Sequence, residues 1–257
     1  MNAAQTTNST LTRSRRGKGA GFTLAEVLVS MTIFSLLMGM IVSFNVESIK
    51  SMFVSEQKAI INKDMRMLTS QMSDDARYAS FFVLYSNYTA TSRNTTAQEL
   101  QQGNSGDFLV LVFYGSPATG APVNVRPVSE IVGYYREPYS LSNQLSLDPI
   151  TNASSSLMPV HRFDLTVGHG LSANQYLEVT NIPSGGTSTT IEALLPNDAA
   201  ATIASHPIVV QLAKGLNDGL LFHNFWGKSI MINAEIVQGN NYDSVSDTYN
   251  FTISPRG

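Results

Sequence analysis

The 257-residue chain carries 16 basic and 19 acidic residues, a net charge of −3, and no cysteine. That excludes a disulfide framework and any thiolate-based metal or redox centre. Its length suits one ordinary domain plus an N-terminal segment.

The first stretch with a pattern is basic and then apolar. Arg13, Arg15, Arg16 and Lys18 precede Gly19-Ala20-Gly21-Phe22-Thr23-Leu24-Ala25-Glu26, and Val27 to Val46 then contain no charge. A helix of twenty such residues is about 30 Å long, enough to cross a bilayer's hydrocarbon. The span is expected over about residues 24–46. Basic residues stay on the cytoplasmic side, which places the rest of the chain outside. Glu26 stands out, because an acid within an apolar span is costly and marks a functional position whose partner should be named.

Gly21 followed by Phe22-Thr23-Leu24-Ala25-Glu26 resembles the type III signal of type IV prepilins and pseudopilins. The resemblance implies that residues 1–21 are a leader. It also implies that a membrane prepilin peptidase cuts between Gly21 and Phe22 and methylates the new Phe22 amine. Glu26 is then the assembly carboxylate, pairing with the amine of a neighbouring subunit. Loss of the leader leaves 12 basic and 19 acidic residues, a poor surface for nucleic acid, and no nucleic-acid partner is expected. An ordinary secretory signal has a shorter apolar core with a small-x-small site after it, and Asn45 to Lys50 offer no such site. An uncleaved signal anchor is the other alternative, although it does not require the Gly-Phe-Thr-Leu-x-Glu pattern.

No glycine or proline occurs between Gly39 and Gly103, so one helix is predicted from about Phe22 to about Leu84, with the helical domain segment spanning 22–86. Past the span, Ile49, Met52, Phe53, Ile60, Ile61, Met65, Leu68, Met72, Ala76, Ala79 and Val83 recur at steps mainly of three and four, the stripe of a helix lying on a domain. Seven of the ten methionines lie in this helix, where flexible thioethers fill irregular contacts.

Residues 87–107 are polar and predict an exposed connecting loop. The apolar run Phe108–Tyr114 and the segment Val128–Arg136 predict strands, as do Arg162–Val167, Tyr176–Thr180, Ile208–Leu212, Ser229–Val237 and Thr248–Ile253, each bounded by turn residues. A helix followed by strands predicts an α+β fold: a long N-terminal helix, transmembrane in its first half, packed on an antiparallel β-sheet domain that occupies 87–257. Tyr134-Tyr135-Arg136, Leu212 to Leu216 and the closing Ser254-Pro255-Arg256 also look similar to the soluble half of J-type pseudopilins and W-type minor pilins.

Chemistry in the soluble half is sparse. His161, His169, His206 and His223 are scattered without metal-ligand spacing and read as isolated polar or surface side chains. Ser184-Gly185-Gly186-Thr187 lacks the lysine and helix of a phosphate cradle and reads as a turn. No catalytic constellation is present, and neither an enzyme nor a cofactor is expected. Some pseudopilins bind calcium in a C-terminal loop, which makes Asp243 and Asp247 candidate ligands by resemblance; a turn held by local side-chain hydrogen bonds is the simpler reading. Together these features predict a minor pilin or pseudopilin of a type IV pilus or a type II secretion filament. Its partners are the prepilin peptidase, other pilin or pseudopilin subunits and the inner membrane. A filament-displayed adhesin or DNA-uptake module is the alternative.

Overall fold

The computed structural model describes residues 21–117, 119, 125–137, 157–177, 182–239 and 244–255. The chain divides between Met52 and Phe53 into two compact units, and helix α1 (Leu24–Tyr78) contributes to both. In the first unit, the described residues from Gly21 onward are all exposed, and α1 is an apolar helix there.

The second unit is a sheet with layers on both faces. Its strands are β1 (Phe81–Tyr85), β2 (Ser105–Gly106), β3 (Phe108–Tyr114), β4 (Val128–Arg136), β5 (Met158–Val167), β6 (Gly170–Leu171), β7 (Gln175–Leu177), β8 (Thr187–Thr189), β9 (Ile208–Gly215), β10 (Phe222–Phe225), β11 (Ser229–Gly239) and β12 (Ser244–Ile253). Among the described residues, ten of these strands form one sheet in the order β1-β3-β4-β5-β9-β11-β10-β2, with β12 on β11 and β6 on β5; β7 and β8 form a separate parallel pair. All pairs along that order are antiparallel. Backbone bonds from Leu100 N to Leu84 O (2.7 Å) and from Asp107 N to Ser86 O (2.9 Å) bring the β2 end back beside β1, so the sheet nearly closes.

Strand alternation assigns the side chains to two cores. Leu109 and Leu111 of β3, Val132 and Tyr134 of β4, and Ile230, Ile232, Ala234 and Ile236 of β11 pack with Ile61, Met65, Leu68, Met72 and Ala76 of α1. These helix positions are three or four apart and put one stripe on the sheet. Each large apolar side chain buried this way contributes about 1.5–3 kcal/mol in gross terms. On the opposite face, Phe108, Val110, Val112, Ile131, Tyr135 and Phe163 pack beneath the helical turns Ile191–Leu194 and Ala200–Ser205. A strand covered on both faces has no polar alternation, which explains the uninterrupted run at β3.

Three expectations are corrected. The helix stops at Tyr78 and not near Leu84. Ser80 donates its N–H to Val112 O (2.8 Å), and the β-favouring Phe81-Phe82-Val83-Leu84-Tyr85 pairs with β3; a sheet partner distant in sequence overrides a segment without helix breakers. The apolar stripe that meets the sheet starts at Ile61, while Ile49, Met52 and Ile60 are exposed. Finally, residues 87–107 are not a simple exposed loop: Tyr88 and Arg93 are buried, Thr95 and Gln98 close a capping box, and β2 pairs with β10.

Candidate functional site

The N-terminal motif has a defined local geometry. Phe22 is 86% exposed and precedes the first helical residue, Leu24. Thr23 occupies the N-cap position and Glu26 lies three residues on. Thr23 N and Thr23 Oγ1 both donate to Glu26 Oε2 at 2.9 Å, while Glu26 N donates to Thr23 Oγ1 at 3.3 Å. This reciprocal capping box satisfies amides that the first helical turn otherwise leaves without partners. Thr-x-x-Glu ahead of an apolar run is a capping signal that the reading of Glu26 as an assembly residue alone had missed.

Beyond the cap, Ala25, Glu26, Val29, Ser30 and Ile33 line one shallow face of α1. Among the described residues, α1 is the one helix long and apolar enough to cross a membrane. Arg13, Arg15, Arg16, Lys18 and the rest of residues 1–20 lie outside the described residues.

In the second unit, polar side chains converge at three places that sequence spacing did not reveal. Asp75 Oδ2 of α1 accepts from Tyr134 Oη (2.5 Å) and Arg162 Nε (3.1 Å), joining the helix to β4 and β5. Asp107 pairs with Arg136 and accepts from Leu221 N at 2.9 Å through Oδ1. Burial pushes the Asp107 carboxyl above the usual carboxylate range, against the opposing pull of Arg136.

The third cluster corrects the reading of the histidines as isolated. His161 is buried, its Nδ1 donates to His206 O (3.1 Å), and its Nε2 lies 3.5 Å from Glu137 Oε2. Tyr135 Oη meets His206 Nδ1 at 2.8 Å, and the Tyr135 ring stacks between His161 (centroids 5.2 Å apart) and Tyr88 (3.8 Å). Burial, followed by the neighbouring His161, pulls the His206 imidazole below its ordinary value. Forty-five residues separate the two histidines along the chain, so only the β5–β9 pairing brings them together.

His169 is exposed, and His223 shares a hydrogen bond with Ser105 Oγ (2.9 Å). Gly186 N bonds to Pro183 O (2.9 Å), the plain turn expected there. Of the two calcium candidates, Asp243 lies outside the described residues. Asp247 sits in β12, where Oδ1 accepts from Thr248 N at 2.9 Å. Among the described residues no group of three carboxylates, histidines or cysteines converges.

Residues 16–42 match a family model described as the prokaryotic N-terminal methylation motif. The match takes in Gly21, Phe22, Thr23 and Glu26 and supports a place among type IV pilin-like prepilin peptidase substrates. No curated protein and no solved structure gives a match.

Proposed function

We infer that the chain is a minor pilin or pseudopilin, inserted in the cytoplasmic membrane through α1, cut between Gly21 and Phe22 and built into an extracytoplasmic filament. The observation carrying this reading is the methylation motif over residues 16–42, joined without interruption to an apolar helix. Phe22 precedes the helix and is exposed, as a peptide bond needs to be when a peptidase approaches it. Hydrolysis leaves an amine on Phe22, next to the partial positive charge of a helix N-terminus.

Glu26 then has two possible partners. Within its own chain it accepts from the amide and hydroxyl of Thr23 and completes the helix cap. Across a subunit contact it meets a cation, and a charge-assisted bond to an ammonium is stronger than bonds from the neutral donors of the cap. Exchange from the internal cap to a neighbour's amine is downhill once cleavage has made that amine. Ala25 and Ser30, on the same face as Glu26, are small enough to let another helix approach closely.

A β domain this large beside each helix suits a minor subunit better than a filament built only from itself. N-terminal sequencing of protein purified from its native host tests the reading: the expected terminus is N-methylated Phe22. A Gly21→Trp variant is expected to remain full length in membranes. Recovery of native protein that still carries Arg13 to Lys18 overturns the proposal.

A further inference from the structure

The hairpin between β10 and β11 turns through Trp226, Gly227 and Lys228. Trp226 has φ 59° and Gly227 φ 64°. Left-handed backbone suits glycine or asparagine, whereas a bulky residue there is a genuine outlier. Trp226 is the chain's single tryptophan and is 68% exposed; Phe225 beside it is 48% exposed, with the two rings perpendicular and their centroids 6.0 Å apart.

The surroundings fix this conformation. Asn224 Oδ1 accepts from Gly227 N (3.1 Å), Asn224 Nδ2 donates to Leu100 O (3.1 Å), and Ser229 Oγ donates to Phe225 O (3.0 Å). A strained residue held by its neighbours, with an apolar ring turned to solvent, is the kind of outlier from which function is inferred.

The loop before β2 is bonded to this strand. Gly103 N donates to Asn224 O (2.8 Å) and Asn224 N to Asn104 O (2.9 Å), and Gln101, Gln102 and Asn104 of that loop are exposed. The hairpin offers two aromatic rings and one cation, Lys228, and the loop bonded to its first strand carries three exposed amide side chains. One lysine is too little charge for a nucleic-acid backbone or an anionic lipid surface. Two rings are too little apolar area for a stable protein interface.

We propose that the Phe225–Trp226 hairpin and the adjoining Gln101–Asn104 loop form a binding site for a neutral polysaccharide of equatorially substituted pyranoses. The axial C–H face of such a sugar stacks on the indole ring, and its hydroxyls find both donors and acceptors in the carboxamides. Asparagine at position 226 suits the backbone better, so the ring's value lies in what it contacts. Sugar binding requires neither cleavage nor assembly, so this proposal and the filament reading fail separately.

The test uses the full chain in phosphatidylethanolamine–phosphatidylglycerol nanodiscs, which contain no sugar. Cellohexaose and chitohexaose are titrated against Trp226 emission and by calorimetry. The expected result is saturable binding of at least one hexaose, weakened at least tenfold in Trp226→Asn and changed less than twofold in Lys228→Ala. The Asn variant fits the left-handed backbone, so its loss of binding does not reflect misfolding; its circular dichroism is expected to match the parent. Absence of binding to both sugars, binding that survives Trp226→Asn, or a Trp226 response to phosphatidylglycerol vesicles in place of sugar overturns the proposal.

Discussion

Thr23 and Glu26 close a reciprocal set of hydrogen bonds at the start of α1, with Glu26 Oε2 accepting from both the amide and the hydroxyl of Thr23 at 2.9 Å. The residue that the sequence marks as an intermolecular partner is therefore already satisfied within its own chain, and neither Thr23 bond uses Oε1. Thr23→Val removes the hydroxyl arm and is expected to cost the first turn about 1 kcal/mol, seen as faster amide exchange there. Cleavage and filament entry are expected to persist, since the charge that meets a neighbour's amine remains. Glu26→Ala is expected to be cleaved normally but to be recovered poorly in sheared filaments. Equal recovery of both variants sinks the exchange.

Asp75 is the polar tie between helix and sheet. Its carboxylate receives Tyr134 Oη and Arg162 Nε on neighbouring strands, and all three side chains are partly shielded from water. Asp75→Ala leaves a phenol and a guanidinium without this acceptor and is expected to lower stability by about 2–3 kcal/mol. Asp75→Asn keeps an acceptor oxygen without the charge and is expected to cost less. Urea unfolding followed by circular dichroism separates the two.

How far the sequence reached is clearest at β3, β4 and α1. Phe108–Tyr114 and Val128–Arg136 were read with the bounds the structure gives, because a seven-residue apolar run and turn residues on either side are local signals. The stripe Ile61, Met65, Leu68, Met72 and Ala76 was equally plain from its spacing. What failed depends on distant partners. Nothing near Tyr78 ends a helix except the demand of Val112 O for Ser80 N. Tyr88 and Arg93 sit in a polar stretch yet are buried, Tyr88 by Phe108 and Tyr135 and Arg93 by its bonds to Tyr88 O and Pro196 O. β10 is four residues long and its pattern is too short to register.

Gly133 and Gly215 are both required by close approach, and they differ in what they touch. A Cβ at Gly133 would lie 2.2 Å from the Phe163 ring, a side chain with some freedom to rotate; at Gly215 it would lie 2.0 Å from the Leu220 carbonyl carbon, which is backbone. Gly133→Ala is expected to cost about 1–2 kcal/mol and Gly215→Ala about 3 kcal/mol or more. Adding Phe163→Leu to Gly133→Ala is expected to cost less than the two single changes together, since the smaller side chain removes the clash. Additive costs would show that the ring is not the obstacle.

His206 makes stability depend on pH in a definite direction. Burial and the adjacent His161 hold its imidazole below the ordinary value, near 6.5 in an unfolded chain. As pH falls through that value, the unfolded chain takes up a proton that the folded protein refuses, so stability falls; the decline stops once pH drops below the folded value. Above the unfolded value the residue contributes nothing to the slope. Tyr135 Oη and His206 Nδ1 share a hydrogen bond of 2.8 Å, so the neutral ring has a partner in the folded protein. The Tm is therefore expected to fall between pH 7.5 and pH 5.5, a window above most carboxylate titrations. His206→Gln keeps a partner for the tyrosine without a titrating group and is expected to flatten that slope. A variant that loses Tm as steeply as the parent over the same window would place the pH dependence elsewhere.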